Sequence, residues 1–258
     1  MDLSLSGKKV LVTGASKGIG LAIVRAFAAE GATVVAGSRT TTPELAALPV
    51  HPVNADLSTP DGPAALVEAA VPILGGRLDV LVNNVGGVHP RTGGFLSITD
   101  DEWMQTLNIN FISAVRVTRA ALPYLLDQGG AIVTVSSVNA SLPDPLVIDY
   151  SASKSALSNF SKALSKEVGP RGVRVNAISP GPVETDLWLG AGGVAETVGD
   201  AANLTPEDVA KGAVIGTATG RFTRPDEVAD LVLLLASSRA GNVTGTDVLI
   251  DGGLTQSL

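Results

Sequence analysis

Tyr150 and Lys154 stand four residues apart in the run Tyr150-Ser151-Ala152-Ser153-Lys154. On a helix that spacing puts both side chains on one face. An ammonium beside a phenol favours the phenolate, so Lys154 is expected to draw the Tyr150 pKa down from about 10. Such a phenol gives a proton to a carbonyl oxygen or takes one from an alcohol. Ser137 precedes Tyr150 by thirteen residues and ends an expected strand. Ligands bind at the carboxyl ends of strands in open α/β sheets, so the serine and the tyrosine are placed to converge. Ser136 is an equally polar neighbour, and the residues alone leave the two open. An isolated Tyr-x-x-x-Lys is more often a solvated helix face, so its meaning depends on what surrounds it.

A second constellation lies near the amino terminus. Thr13-Gly14-Ala15-Ser16-Lys17-Gly18-Ile19-Gly20 follows an apolar strand and opens a helix. Glycine removes Cβ where backbone must approach phosphate, and the N–H groups of the helix start then face the anion. The spacing is G-x-x-x-G-x-G rather than G-x-G-x-x-G, and the strand–turn–helix context is the required one.

The elements that must carry these groups alternate. Strands are expected at Lys9 to Thr13, Thr33 to Ala36, His51 to Asn54, Asp79 to Val82, Ala131 to Ser136, Val173 to Ile178 and Thr246 to Ile250. Helices are expected from about Gly18 to Ala29, Asp61 to Ile73, Thr99 to Leu126, Asp149 to Val168 and Pro225 to Ala236. Thr99 with Glu102 reads as a capping box, and Pro123 as the site of a bend. Short apolar strands separated by helices imply a parallel sheet covered on both faces. Between Pro180 and Arg221 the chain is rich in Gly and Ala with no strand signal, and Thr205-Pro206-Glu207-Asp208 starts one short helix there. A connection of that length in a compact domain reads as a lid, with Leu187 and Trp188 as apolar contacts for a substrate.

Composition removes several classes. The 258 residues are 45% hydrophobic and 17% charged, enough for a full core. The net charge of −7 argues against a nucleic-acid binder. Cysteine is absent, and His51 and His89 are the only histidines, which leaves no thiolate nucleophile and no His cluster for a metal. The first residues lack the pattern of a signal peptide, and the most apolar later run, Val228 to Ala236, is too short for a membrane span and contains Asp230. A cytoplasmic protein is the expectation.

Taken together, the Thr13–Gly20 turn, Asn83-Asn84-Val85-Gly86 after the fourth strand, Ser137, the Tyr150–Lys154 run and Ser179-Pro180-Gly181 after the sixth strand resemble the short-chain dehydrogenase/reductase family. The likeness covers about Lys8 to Gly253 and extends to its 3-oxoacyl-[acyl-carrier-protein] reductase-like members. It implies a three-layer Rossmann fold with a seven-stranded parallel sheet, as a single domain over 1–258 with a lid at about 183–220. It implies Tyr150 as general acid in reduction and general base in oxidation. Lys154 would lower its pKa and bind the nicotinamide ribose, and Ser137 would orient the substrate carbonyl. Asn110, with Asn108 as the alternative, would hold a water that feeds protons to Lys154. Cofactor contacts implied by the resemblance are Gly14, Ser16, Lys17, Gly18, Ile19, Gly20, Asn83, Val85, Gly86, Tyr150, Lys154, Pro180, Gly181, Val183 and Thr185. Val85 departs from the family's N-N-A-G and adds two methyls beside a tight turn.

Relatives that prefer NAD place an acid after the second strand, bonded to both ribose hydroxyls. Here that position is Ser38, followed by Arg39, with Lys17 as a second cation. The set implies NADP(H) as preferred, with NAD(H) accommodated. Asp56 would accept from the adenine amino group, with Leu57 beside it. The resemblance further implies a small-molecule carbonyl or alcohol substrate, an acyl thioester among the options, and a homotetramer. The stretch before the fifth strand, Asp127-Gln128-Gly129-Gly130, lacks the bases that would greet an acidic carrier protein, and only Arg171 and Arg174 remain nearby in sequence. A carbonyl reductase is the leading reading. An NAD(P)-linked alcohol or sugar dehydrogenase and a non-catalytic dinucleotide sensor are the alternatives.

Overall fold

Runs such as Val10-Leu11-Val12 and Ala131-Ile132-Val133-Thr134-Val135 are apolar on both sides, so both faces of the strands they form must be covered. A computed structural model, which describes residues 2–256, shows how. In chain order the elements are β1 (Lys9–Thr13), α1 (Gly18–Ala29), β2 (Thr33–Ser38), α2 (Pro43–Ala46), β3 (His51–Asn54), α3 (Gly62–Ile73), β4 (Val80–Asn83), α4 (Asp100–Leu107), α5 (Ser113–Leu126), β5 (Gly130–Val135), α6 (Ile148–Val168), β6 (Val173–Pro180), α7 (Asp186–Leu189), α8 (Val194–Ala202), α9 (Pro206–Ile215), α10 (Pro225–Ala236) and β7 (Asp247–Ile250). The sheet is parallel throughout, in the order β3-β2-β1-β4-β5-β6-β7. Strand order reverses between β1 and β4, which opens a crevice at their carboxyl ends. This is the expected seven-stranded Rossmann architecture; the sequence's single span of 1–258 includes Met1, Ser257 and Leu258, which lie outside the described residues.

Two cores sandwich the sheet. On one side Ile23 and Phe27 of α1 and Val228 and Val232 of α10 meet Val10, Val12 and Val34. On the other, Leu66 and Ala70 of α3, Val117 and Ala121 of α5 and Leu164 of α6 meet Leu11, Leu81 and Ile132. The alternating side chains of each strand thus feed both cores.

The Thr99–Glu102 capping box forms as expected, with Thr99 N donating to Glu102 Oε2 at 2.8 Å and Glu102 N donating to Thr99 Oγ1 at 3.3 Å. The expected helix to Leu126 is interrupted. A π turn over Asn108–Ile112 divides it into α4 and α5, and Pro123 stands inside the continuous α5. The interruption falls at Asn110, the asparagine singled out in the sequence, and π turns are frequent at functional sites.

The 180–221 connection holds three helices where one was expected. Thr205 caps α9 as its sequence suggests, its Oγ1 accepting from Asp208 N at 3.1 Å. The additional α7 and α8 begin at Thr185 and Gly193, neither of which supplies a capping side chain. The connection leaves and returns at one point, where Val183 bridges Thr223.

Candidate active site

The turn after β1 is held to the end of β4 by Thr13 and by Asn84, the residue after that strand. Thr13 Oγ1 donates to Val82 O at 3.2 Å and accepts from Asn84 N at 3.0 Å. Asn84 Nδ2 donates to Thr13 O and Gly14 O, each at 3.1 Å. Gly14 has φ +67°, where glycine carries little steric cost. A Cβ on Gly20 would lie 2.1 Å from Gly14 O, so the turn closes only on glycine. Helix α1 starts here with no side-chain cap and no acid in its first turn. Its amide N–H groups and the positive end of its dipole are left for an anion. The residues present therefore fit a dinucleotide pyrophosphate.

A cavity of about 1140 Å³ runs from this turn across the strand ends to the α7–α9 segment. Gly14, Ser16, Lys17, Gly18, Ile19, Gly20, Ser38, Arg39, Asp56, Leu57, Val85, Gly86, Ser137, Tyr150, Lys154, Pro180, Gly181, Val183 and Thr185 all line it. Asn83 differs. Its side chain is buried behind the sheet, where Nδ2 donates to Thr118 Oγ1 at 2.9 Å, and Asn84 borders the cavity in its stead. Alternation along a strand end sends neighbours to opposite faces, so the paired asparagines could not both point inward. Thr42 was not anticipated: it reaches across to the turn, its Oγ1 donating to Ser16 O at 2.9 Å.

At the centre, Lys154 is buried and Nζ donates to Val135 O at 3.0 Å, with the ammonium 5.7 Å from the Tyr150 ring centroid. Burial depresses the Lys154 pKa to about 8. Tyr150 departs from expectation. Burial pushes its phenol up, and the Ser137 hydroxyl pulls it down by less. The ammonium engages a carbonyl and the face of the ring, which explains why the anticipated acidification by Lys154 is not the leading effect. Ser137 Oγ also accepts from Asn139 N and donates to Asn139 Oδ1, both at 3.2 Å. Ser136 Oγ turns instead to Ser158 Oγ at 2.8 Å.

Asn110 is fully buried in the π turn. Its Nδ2 donates to Gly87 O at 2.9 Å and Thr106 O at 3.0 Å, and its Oδ1 accepts from Gly87 N at 3.0 Å. Gly86 separates it from Lys154: a Cβ there would lie 2.8 Å from Asn110 Oδ1 and 3.3 Å from Lys154 Nζ. Asn108 points elsewhere, to Ser58 O and the Arg116 guanidinium.

At the far end of the cavity Ser38 Oγ donates to Thr40 O at 2.9 Å, and Arg39 and Lys17 are exposed. The Asp56 carboxylate is held low by hydrogen bonds from the Ser58 hydroxyl and amide, with a further contribution from Arg39.

A doubly wound parallel sheet with an uncapped helix start at its switch point, beside a Ser–Tyr–Lys cluster, defines a dinucleotide-dependent oxidoreductase. A short-chain dehydrogenase family model described as enoyl-(acyl carrier protein) reductase matches residues 14–255. The chain is 36% identical over 261 residues to the 3-oxoacyl-[acyl-carrier-protein] reductase FabG of Thermotoga maritima, covering 98% of this chain and 99% of that one. It is also 36% identical to 3beta-hydroxysteroid dehydrogenase 1 of Eggerthella lenta, over 97% and 95% of the two chains. Among solved structures, L-sorbose reductase of Gluconobacter frateurii, complexed with NADPH and L-sorbose, superposes with a TM-score of 0.90 at 32% identity over 100% of both chains. The chain belongs to the short-chain dehydrogenase/reductase family and acts on CH–OH and carbonyl groups with a nicotinamide dinucleotide. Among the described residues no helix is long and apolar enough to cross a membrane.

Proposed function

We propose that this chain is an NADPH-dependent reductase of ketones, with Tyr150 as proton donor. The observation that carries the reading is the meeting of Ser137, Tyr150 and Lys154 in one cavity with the uncapped start of α1. When bound, NADPH supplies a hydride to the carbonyl carbon. Ser137 Oγ donates to the carbonyl oxygen and orients it. Tyr150 Oη then gives its proton to the same oxygen, so the alcohol leaves neutral. A phenol whose pKa is raised by burial carries that proton at neutral pH, which suits the reductive direction. Lys154 returns the proton, and Asn110, one residue of backbone away across Gly86, holds the water through which it arrives.

The choice of NADPH is supported by Ser38, Arg39 and Lys17. Ser38 carries no charge to repel a 2′-phosphate, and the two cations are exposed at that end of the cavity. NAD(H) would bind more weakly through the same turn. Asp56 and Leu57 hold the adenine. The segment from about 183 to 220 serves as the substrate lid. The assembly is a homotetramer, paired through α5 and α6 and through the last strand. Exposed Met104 and Tyr124 at the first surface and Val243 and Leu249 near the second are apolar groups that such contacts would cover.

The test is Tyr150→Phe. Carbonyl-dependent NADPH oxidation is lost while NADPH still binds by fluorescence titration. Near-wild-type turnover in that variant overturns the role of Tyr150.

A further inference from the structure

The half of the cavity beyond Tyr150 has a composition of its own. One wall is the β5–α6 connection, with Leu142 and Leu146. The other is the α7–α9 segment, with Leu187, Trp188, Val194 and Val209. Leu142, Leu146 and Leu187 are 41%, 42% and 40% exposed, large apolar side chains on both sides of one opening. Trp188 packs edge-on against Phe222, with ring centroids 5.7 Å apart.

Charge is distributed unevenly along the same cavity. Its lysines and arginines are Lys17 and Arg39 at the cofactor end and Lys154 beneath Tyr150. None borders the substrate half, whose connection wall instead carries Asp144. Arg174 is spent elsewhere, its guanidinium donating to the Leu235, Ala236 and Ser237 carbonyls at the end of α10. Arg171 precedes β6 and so lies at the opposite edge of the sheet. An anionic substrate would meet a carboxylate and no counter-ion.

Two polar side chains of the connection wall bond back to that wall. Asn139 Nδ2 donates to Leu142 O at 3.1 Å. Asp144 Oδ1 accepts from Leu146 N at 2.8 Å. A polyhydroxylated substrate would press hydroxyls against Leu142, Leu146 and Leu187, and each hydroxyl left without a partner there is costly.

We infer that the substrate is an uncharged, mostly apolar ketone, and neither an anionic acyl thioester nor a sugar. The inference rests on the reductase reading above and deepens it. Burial of the three half-exposed leucines supplies binding energy, and Ser137 with Tyr150 anchors the carbonyl.

The experiment compares 2-decalone, acetoacetyl-coenzyme A and fructose. Two readouts are used: NADPH oxidation, and calorimetric binding to the NADP⁺-loaded protein. The expected result is that 2-decalone has the highest kcat/KM and alone binds measurably. Leu187→Ser and Leu142→Ser each raise the KM for 2-decalone by about tenfold without changing NADPH affinity. Higher kcat/KM for acetoacetyl-coenzyme A or fructose overturns the substrate class and leaves the reductase reading intact. Binding of 2-decalone without hydride transfer supports the pocket assignment and overturns the reductase reading. An unchanged KM in both serine variants overturns the assignment of these walls.

Discussion

Arg91 Nη2 and Asp149 Oδ2 meet at 2.6 Å and join the loop after β4 to the first turn of α6, one residue before Tyr150. Arg91 Nη1 also reaches Glu102 Oε1 at 2.8 Å, and Thr106 Oγ1 donates to Asp149 Oδ2 at 2.7 Å. Burial pushes the Asp149 carboxyl up, but the Arg91 and Thr106 hydrogen bonds together outweigh it and hold it below its ordinary value. Removing one member of a buried pair strands the other. Arg91→Met is therefore expected to cost about 3–5 kcal/mol, read as a lower midpoint in urea unfolding. Because the native carboxyl is the stronger acid, its contribution is present above the unfolded value of about 3.9 and is lost as pH falls through the lower native value. Asp149→Asn should flatten that part of the stability profile; an unchanged acid limb would show that other carboxylates set it.

Lys154 titrates in the opposite sense to a stabilised cation. Its native pKa of about 8 lies below the unfolded value near 10.4, so this group's destabilisation diminishes as pH rises between the two. In the proposed role Lys154 binds the cofactor as a cation, so NADPH affinity of the free protein should decline as pH rises through about 8. Fluorescence titration from about pH 6 to about pH 10 checks it. A flat affinity would mean that the ammonium does not contribute to binding.

Arg39→Ala should lower kcat/KM for NADPH roughly 10- to 100-fold, the worth of a hydrogen bond to a charged group. The loss with NADH should be several-fold smaller. Equal losses would remove Arg39 from phosphate recognition.

Gly86→Ala places a methyl 2.8 Å from Asn110 Oδ1 and 3.3 Å from Lys154 Nζ. Both must shift, so kcat should drop by at least about tenfold, since small misplacements near the chemistry are costly. Circular dichroism should show an intact fold. Wild-type kcat would indicate that the loop yields without disturbing Lys154.

Pairing through α5, α6 and β7 predicts a tetramer by light scattering at micromolar protein. A monomer alone would rule it out.

Periodicity made most of the framework legible. β1, α1, β3 and α10 have the bounds read from their residues, because apolar runs and signals such as Pro225-Asp226-Glu227 act locally. The π turn was not legible. It answers to Asn110 bonding Gly87 across the fold, a long-range demand that leaves no periodic trace. Helices α7 and α8 escaped because neither starts with a capping side chain and α7 has only four residues. The site's membership could be read from motif spacing, yet Asn83 and Asn84 could not be told apart without knowing which face each takes. The direction of the Tyr150 phenol shift was not legible either, because spacing reveals a neighbouring ammonium but not the desolvation of the phenol.

The bridge between Val183 and Thr223, with Glu184 N bonded to Thr223 O at 2.9 Å and Thr223 N to Pro182 O at 2.9 Å, brings the ends of a forty-residue excursion side by side. Beyond this neck the loop is fastened to the chain after β7 by Thr219 N donating to Gly252 O at 3.1 Å, and the stretch between the two ties is closed on itself. Extra turns or replaced helices can therefore be accommodated there at small entropic expense. Transplanting residues 184–222 from a relative should shift the substrate range, to which Leu142 and Leu146 on the other wall also contribute, while the Tyr150 chemistry stays in place.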